Sequence, residues 1–313
     1  MAPPRPAPVF DDLPPSANAT ALGLLTMPAP LPPASGGREP ARPKTVNLWS
    51  FADLCGPDLA DAITPSTVVL QPIGSVEHHG SHLPLATDAL VVDALARAVA
   101  KKAPDLDMLV LPTLYYGLST EHVWAPGTVS LSPSTLLALL DDIGASVARA
   151  GAKRLVFLNG HGGNTHLLRV AARQIRARYH LYTFLFQGYA APEHGAPPPD
   201  PREEGLGIHG SQAETSVVLH IRPDLVDLSR AERSVPSWVN RYKHLGLTGG
   251  TEFAWLSDDL SPTGVVGDPT LATSDKGQEH FAAAVAHIAQ AVAEASRFSF
   301  PRTTESTGPV EGD

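Results

Sequence analysis

The chain has 313 residues, a formal net charge of -9, 43% hydrophobic and 18% charged residues, 31 prolines and a single cysteine, Cys55. Such a balance indicates a globular protein, and the length allows one large domain or two small ones. One cysteine excludes an internal disulfide and a cysteine-based zinc finger. The acidity argues against a nucleic-acid or anionic-membrane surface, and no apolar run reaches the ~20 residues of a membrane span.

Twelve of the prolines fall before residue 46. Proline fixes φ and lacks an amide donor, so residues 1–45 are expected to form a disordered or polyproline-II-like extension. No basic stretch there precedes an apolar run, so no secretory signal is expected. The reading is cytoplasmic, and the lone thiol suits that. The folded domain is expected over 46–299, with a loose tail over 300–313.

Within the body, Thr67 to Ile73 reads as a buried strand. Ala89 to Lys102 follows as a helix, with Asp88 at the N-cap. Met108 to Pro112 is a short strand. Ser132 and Pro133 begin a helix that Gly151 ends. Arg154 to Leu158 is a buried strand, Thr165 to Tyr179 a helix and Leu181 to Phe186 a strand. Pro197 to Pro201 marks a surface loop. Ala213 to Ile221 and Gly277 to Phe298 are helices. Alternating strands and helices, with continuous apolar strands, predict an α/β fold whose parallel sheet is covered on both faces.

Ligands of such sheets gather beyond the carboxyl ends of the strands. Three segments there concentrate imidazoles and carboxylates: Gly74 to Asp88 (GSVEHHGSHLPLATD), Asn159 to Asn164 (NGHGGN) and His209 to Ser216 (HGSQAETS). Glu77 and His79 are two apart and point the same way on an extended segment. With Asp88 and His161 they make a carboxylate–imidazole set suited to Zn, Mn or Fe(II). If Asp88 bridged and Glu214 joined, the set would serve two metals sharing a hydroxide. Plain alternatives stand beside each residue: Asp88 as a helix cap, His161 as a turn histidine, Glu121 and His122 as a salt-linked loop pair. NGHGGN lacks the lysine and spacing of phosphate loops, so its glycines are read as allowing close approach to a metal or substrate.

These strings, together with Ser119-Thr120-Glu121-His122 and Pro126-Gly127-Thr128, resemble the creatininase (creatinine amidohydrolase) family, in its NGHGGN form, over about residues 46–295. The resemblance implies a three-layer α/β/α sandwich with a mainly parallel central sheet. It also implies a dinuclear centre of two divalent ions, zinc ahead of manganese or iron, and a homo-oligomer, hexameric in creatininase. Position by position it makes Glu77, His79, Asp88 and His161 metal ligands, Asp88 bridging, and His209 a proton shuttle. Creatininase carries a ligand glutamate where this chain has Gly163, and Glu214 is the candidate replacement. Glu121 and His122 are taken as supporting catalysis, and Ser119, Thr120, Gly162, Gly163 and Asn164 as binding substrate. The creatininase residues that enclose creatinine align with Gly205 and Ile208, which points away from creatinine itself.

The activity so implied is hydrolysis of an amide, lactam or formamide C–N bond, other than an ordinary peptide bond, in a small molecule. The alternatives are a peptidase of the mycofactocin-maturation type, trimming a modified peptide, and a non-catalytic metal-binding interaction protein. No nucleic acid or membrane partner is expected.

Overall fold

A computed structural model describes residues 49–248 and 250–301. The expected N-terminal extension, and the tail beyond Pro301, lie outside the described residues. In chain order the regular elements are α1 (Gly56–Ala62), β1 (Val68–Ile73), α2 (Thr87–Lys102), β2 (Met108–Val110), α3 (Pro133–Arg149) and β3 (Arg154–Asn159). Then come α4 (Thr165–Tyr179), β4 (Tyr182–Gln187), α5 (Gln212–Ile221), α6 (Ser257–Leu260) and α7 (Ser274–Arg297). The sequence pattern located all of them within a few residues, except α1 and α6, which are short and carry no clear apolar stripe.

The four strands form one sheet in the order β2-β1-β3-β4, every pair parallel. Every residue of β1 and β3 is buried, which is why they read as unbroken apolar runs. Alternate residues of β3 face opposite layers. Val156 and Leu158 pack with Val92 and Leu95 of α2, Val218 of α5 and Ile288 of α7. Leu155 and Phe157 pack with Leu136 and Leu140 of α3 and with Leu168 and Ile175 of α4. The result is the expected three-layer α/β/α sandwich.

Pro72 sits in a central strand, where proline is normally excluded. Its place has a simple cause. The β1 groups facing β2 belong to alternate residues: Val68 N donates to Asp107 O, and Leu70 O and Pro72 O accept from Leu111 N and Leu114 N. β2 ends at Val110, so the amide that Pro72 lacks would have faced beyond that strand's end.

Helix α3 begins as expected, with Ser132 Oγ accepting from Thr135 N at 3.2 Å. Helix α7 starts three residues earlier than Gly277, because the Thr273 side chain caps it by accepting from Lys276 N. Asp88 is a correction. The N-cap of α2 is Ala86, and Asp88 lies inside the first turn. Its carboxylate turns to His79 and His161 instead of back to the helix amides. Gly74 makes this placement possible: a Cβ there would lie 2.5 Å from Ala89 Cα. Without a side chain, the end of β1 abuts the start of α2, and Asp88 stands over the carboxyl edge of the sheet.

Candidate active site

Five side chains from four chain segments meet at that edge. Glu77 and His79 follow β1, and the Glu77 N to Leu85 O bond (2.9 Å) closes their loop. His79 Nδ1 is 3.2 Å from Glu77 O, which turns Nε2 inward. Nε2 then lies 3.4 Å from Asp88 Oδ1 and 3.7 Å from Glu214 Oε1. Glu214 is in the first turn of α5, capped by Ser211. Its Oε2 accepts from Gly210 N at 2.6 Å, leaving Oε1 for His79. His161 follows β3 and places Nδ1 3.1 Å from Asp88 Oδ2 and Nε2 3.2 Å from Glu77 Oε2. Nε2 also meets Leu118 O at 2.9 Å, which orients the ring.

Among the described residues four groups of three donors lie within 4.8 Å of one another, and two of them meet at one residue: His79, Asp88 and Glu214, and Glu77, Asp88 and His161. Asp88 belongs to both, one oxygen turned to each. Both Glu77 oxygens, His79 Nε2 and Asp88 Oδ2 are buried without a hydrogen-bond partner. Buried carboxylates left so are costly unless a cation meets them. Three carboxylates and two imidazoles are the donors that divalent zinc or manganese takes. The residues therefore fit a dinuclear divalent-metal centre.

The electrostatics agree. Burial disfavours charge on His79 and His161, yet carboxylates hold both well above the usual imidazole range: Asp88 and Glu214 for His79, Glu77 and Asp88 for His161. Burial pushes Glu77 up to about 7. Before metal enters, these two histidines carry the compensating positive charge. Ligation needs neutral imidazole and ionised carboxylate, so metal binding at pH 7 should release about two protons from the histidines and part of one from Glu77, and affinity should rise with pH. Calorimetric titration in two buffers of different ionisation enthalpy measures the release; a buffer-independent heat would contradict the ligand assignment.

His209 is held by paired backbone bonds to Val266. Its Nε2 is 2.7 Å from His78 O and so carries the proton. Nδ1 faces the centre, 3.6 Å from Glu77 Oε1. Burial, aided by His79, lowers this ring to about 4, so it is neutral near pH 7. His122 stacks on it at 4.0 Å, with Nε2 3.6 Å from Glu77 Oε1.

The remaining expected residues divide. Glu121 Oε1 is 3.3 Å from His161 Nε2. A Cβ on Gly163 would collide with that oxygen and lie 2.5 Å from His161 Nε2. Gly163 thus makes room for Glu121 and for the histidine. Gly162 borders the cavity. Asn164 does not: it is fully buried, accepts from Leu118 N and donates to Gly74 O and Asn159 Oδ1. It is a strut between loops. Ser119 is also buried, its hydroxyl bonded to Ser75, whereas Thr120 is exposed. His78 bonds Thr263 O and His82 bonds Thr215 Oγ1, so of His78, His79 and His82 only His79 turns a ring nitrogen to Asp88 and Glu214.

A cavity of about 220 Å³ opens beside Asp88, His161, His209 and Glu214. Gln187, Tyr189 and Ile208 also line it. Neither Gln187 nor Tyr189 is among the residues expected from the sequence, although Gln187 ends β4 and Tyr189 follows it at the same edge of the sheet.

Known proteins are similar to this chain in sequence and fold. The family model "Creatininase: Creatinine amidohydrolase" matches residues 52–292. The chain is 37% identical to a mycofactocin precursor peptide peptidase of Mycobacterium ulcerans, over 70% of this chain and 82% of that one. It is 32% identical to a creatinine amidohydrolase of Pseudomonas putida, over 56% of this chain and 72% of that one. Among solved structures, a creatininase variant of Zn-Zn type superposes with TM-score 0.63 and 26% identity, covering 80% of this chain and 98% of its own. "Creatininase Mn" superposes with TM-score 0.63 and 25% identity, over 80% and 99%. With the match running from before the first strand into the last helix, and the sheet edge offering two donor sets joined at Asp88, the chain belongs to the creatininase family of metal-dependent C–N hydrolases.

Proposed function

We propose that this enzyme trims a modified precursor peptide, hydrolysing a C–N bond near one end of it. The observation that carries this reading is the identity to the precursor-peptide peptidase. It is 37% over 70% of the chain, against 32% over 56% for the creatinine amidohydrolase. The cavity supports it. Ile208, 38% exposed, puts an apolar side chain on the wall, and that side chain offers no hydrogen bond to a small polar ring.

Glu77, Asp88 and His161 would hold one ion, and His79, Asp88 and Glu214 the other. When bound, such a pair supplies water activation near neutral pH and polarisation of the scissile carbonyl. The protein's own task is then proton transfer. His209 Nδ1, free of a proton, takes one from the attacking water, and its Nε2–H bond to His78 O steadies the ring. The ring's low affinity for that proton favours handing it on to the leaving nitrogen, which departs poorly as an anion. Glu121, beside His161 Nε2, and His122, stacked on His209, keep these two rings in place.

The test is direct. Protein loaded with zinc or manganese is incubated with a mycofactocin-type precursor peptide and, separately, with creatinine, and products are read by mass spectrometry. The expected result is a shortened peptide and intact creatinine. Creatinine turnover with the peptide untouched would restore the small-ring amidohydrolase reading. Inertness toward both, with metal bound, would favour a binding protein.

A further inference from the structure

Strand β4 ends the sheet, and among the described residues nothing pairs with its outer edge. Its inner edge is bonded to β3 through Tyr182 N to Lys153 O (2.8 Å) and Gly188 N to Asn159 O (2.7 Å). Alternation along a parallel strand puts the amides and carbonyls of Thr183, Leu185 and Gln187 on the outer edge. Open edges of this kind are normally covered or blunted, because they template pairing with another chain.

Beside this edge runs a groove of about 510 Å³, formed by Thr183 and Leu185 with Arg169, Arg173 and Arg176 of α4. Arg176 is engaged, bonded to His180 O and lying 4.9 Å from the Tyr182 ring. Arg178, on the same helix, is taken by Asp141. Arg169 and Arg173 are exposed and have no ion pair or hydrogen bond among the described residues. In a chain of net charge -9, two unpaired guanidinium groups against an open strand edge call for an anionic neighbour.

We infer that this edge seats an extended acidic peptide segment, added to the sheet beside β4 with its carboxylates on Arg169 and Arg173. Spacing supports the match. Residues four apart on a helix are separated by about 6 Å along its axis. Alternate side chains of a strand lie about 6.6 Å apart. Acidic residues at every second position therefore meet both arginines. Backbone bonds to the edge would give affinity and the arginines charge selectivity. On the peptidase reading proposed above, this segment belongs to the substrate. β4 leads to Gln187, Gly188 and Tyr189, which line the catalytic cavity, so a chain laid along it has one end delivered to the metal centre.

The probe is a fluorescein-labelled peptide of alternating Glu and Val, with a Lys-Val counterpart and a Glu-Val version N-methylated at every second amide. Binding to the metal-loaded full chain is followed by anisotropy. The Glu-Val peptide should bind, and the other two should bind at least about tenfold more weakly, as should Glu-Val with the Arg169→Glu/Arg173→Glu variant. Circular dichroism and metal content check that this variant is folded and loaded. Equal affinity for wild type and variant, or equal binding of the Lys-Val peptide, would overturn the assignment. So would a variant that loses mass in sedimentation while no peptide binds the wild type, since the edge would then join two copies of this chain. Binding is read without cleavage, so failure to trim a precursor peptide would count against the peptidase reading alone.

Discussion

Asp88→Ala is expected to lose metal at both positions, falling from about two ions per chain to less than one, with activity reduced beyond about 10³-fold. The reason is geometric. Asp88 is the one residue common to both donor sets, with Oδ1 3.4 Å from His79 Nε2 and Oδ2 3.1 Å from His161 Nδ1. Removing it takes a charged donor from each set at once. Burial disfavours ionisation of Asp88, but the positive charge of His79, and then of His161, holds its carboxyl well below the usual range. It is therefore an anion at any working pH. Elemental analysis of purified protein, with circular dichroism to confirm the fold, decides the matter. A variant that keeps two ions would show that the donor sets are not joined at this residue. Glu77→Gln is the contrast: Glu77 belongs to only one of the two joined sets, so about one ion should remain at His79, Asp88 and Glu214.

His209→Gln is expected to lower kcat by about 10²–10⁴-fold while both ions stay bound. The imidazole contributes a protonatable Nδ1 facing the centre and an Nε2–H anchored on His78 O. Glutamine can replace the anchor but cannot cycle a proton. The outcome separates two roles, because His209 also lies within donor distance of Glu77 and His79. If the substitution removes an ion, His209 is a ligand and the proton is carried by another group. Activity assays and metal analysis on the same preparation distinguish these results.

Much of this molecule was legible in the residue order. Strands β1 and β3 announced themselves because both their faces are buried, which leaves an apolar run that tolerates few polar residues. Glu77, His79, Asp88, His161 and Glu214 could be named because a parallel sheet collects its ligands at one edge. The segments just past its strands and into the following helices were therefore the place to look. Helix starts were less secure: Asp88 looked like a cap because a lone acid before a helical run usually is one. Only the surrounding imidazoles, brought from other segments, turned its carboxylate away from the helix.

What the order of residues could not contain were distances between segments far apart in the chain. It did not show that Asn164 spends its amide bracing Leu118 and Gly74, or that His78 and His82 serve Thr263 and Thr215. Nor did it show that Gly163 exists to admit Glu121, 42 residues earlier, because a glycine's requirement is set by the atom that would collide with it. The sequence by itself determined the layers, the parallel sheet and the candidate ligands. Each of these follows from local periodicity or from the chemistry of a residue type. The tertiary structure decided which imidazoles face the centre, which carboxylate is shared and which strand edge is left open. These depend on where separate segments come to rest against one another, and no local pattern encodes that.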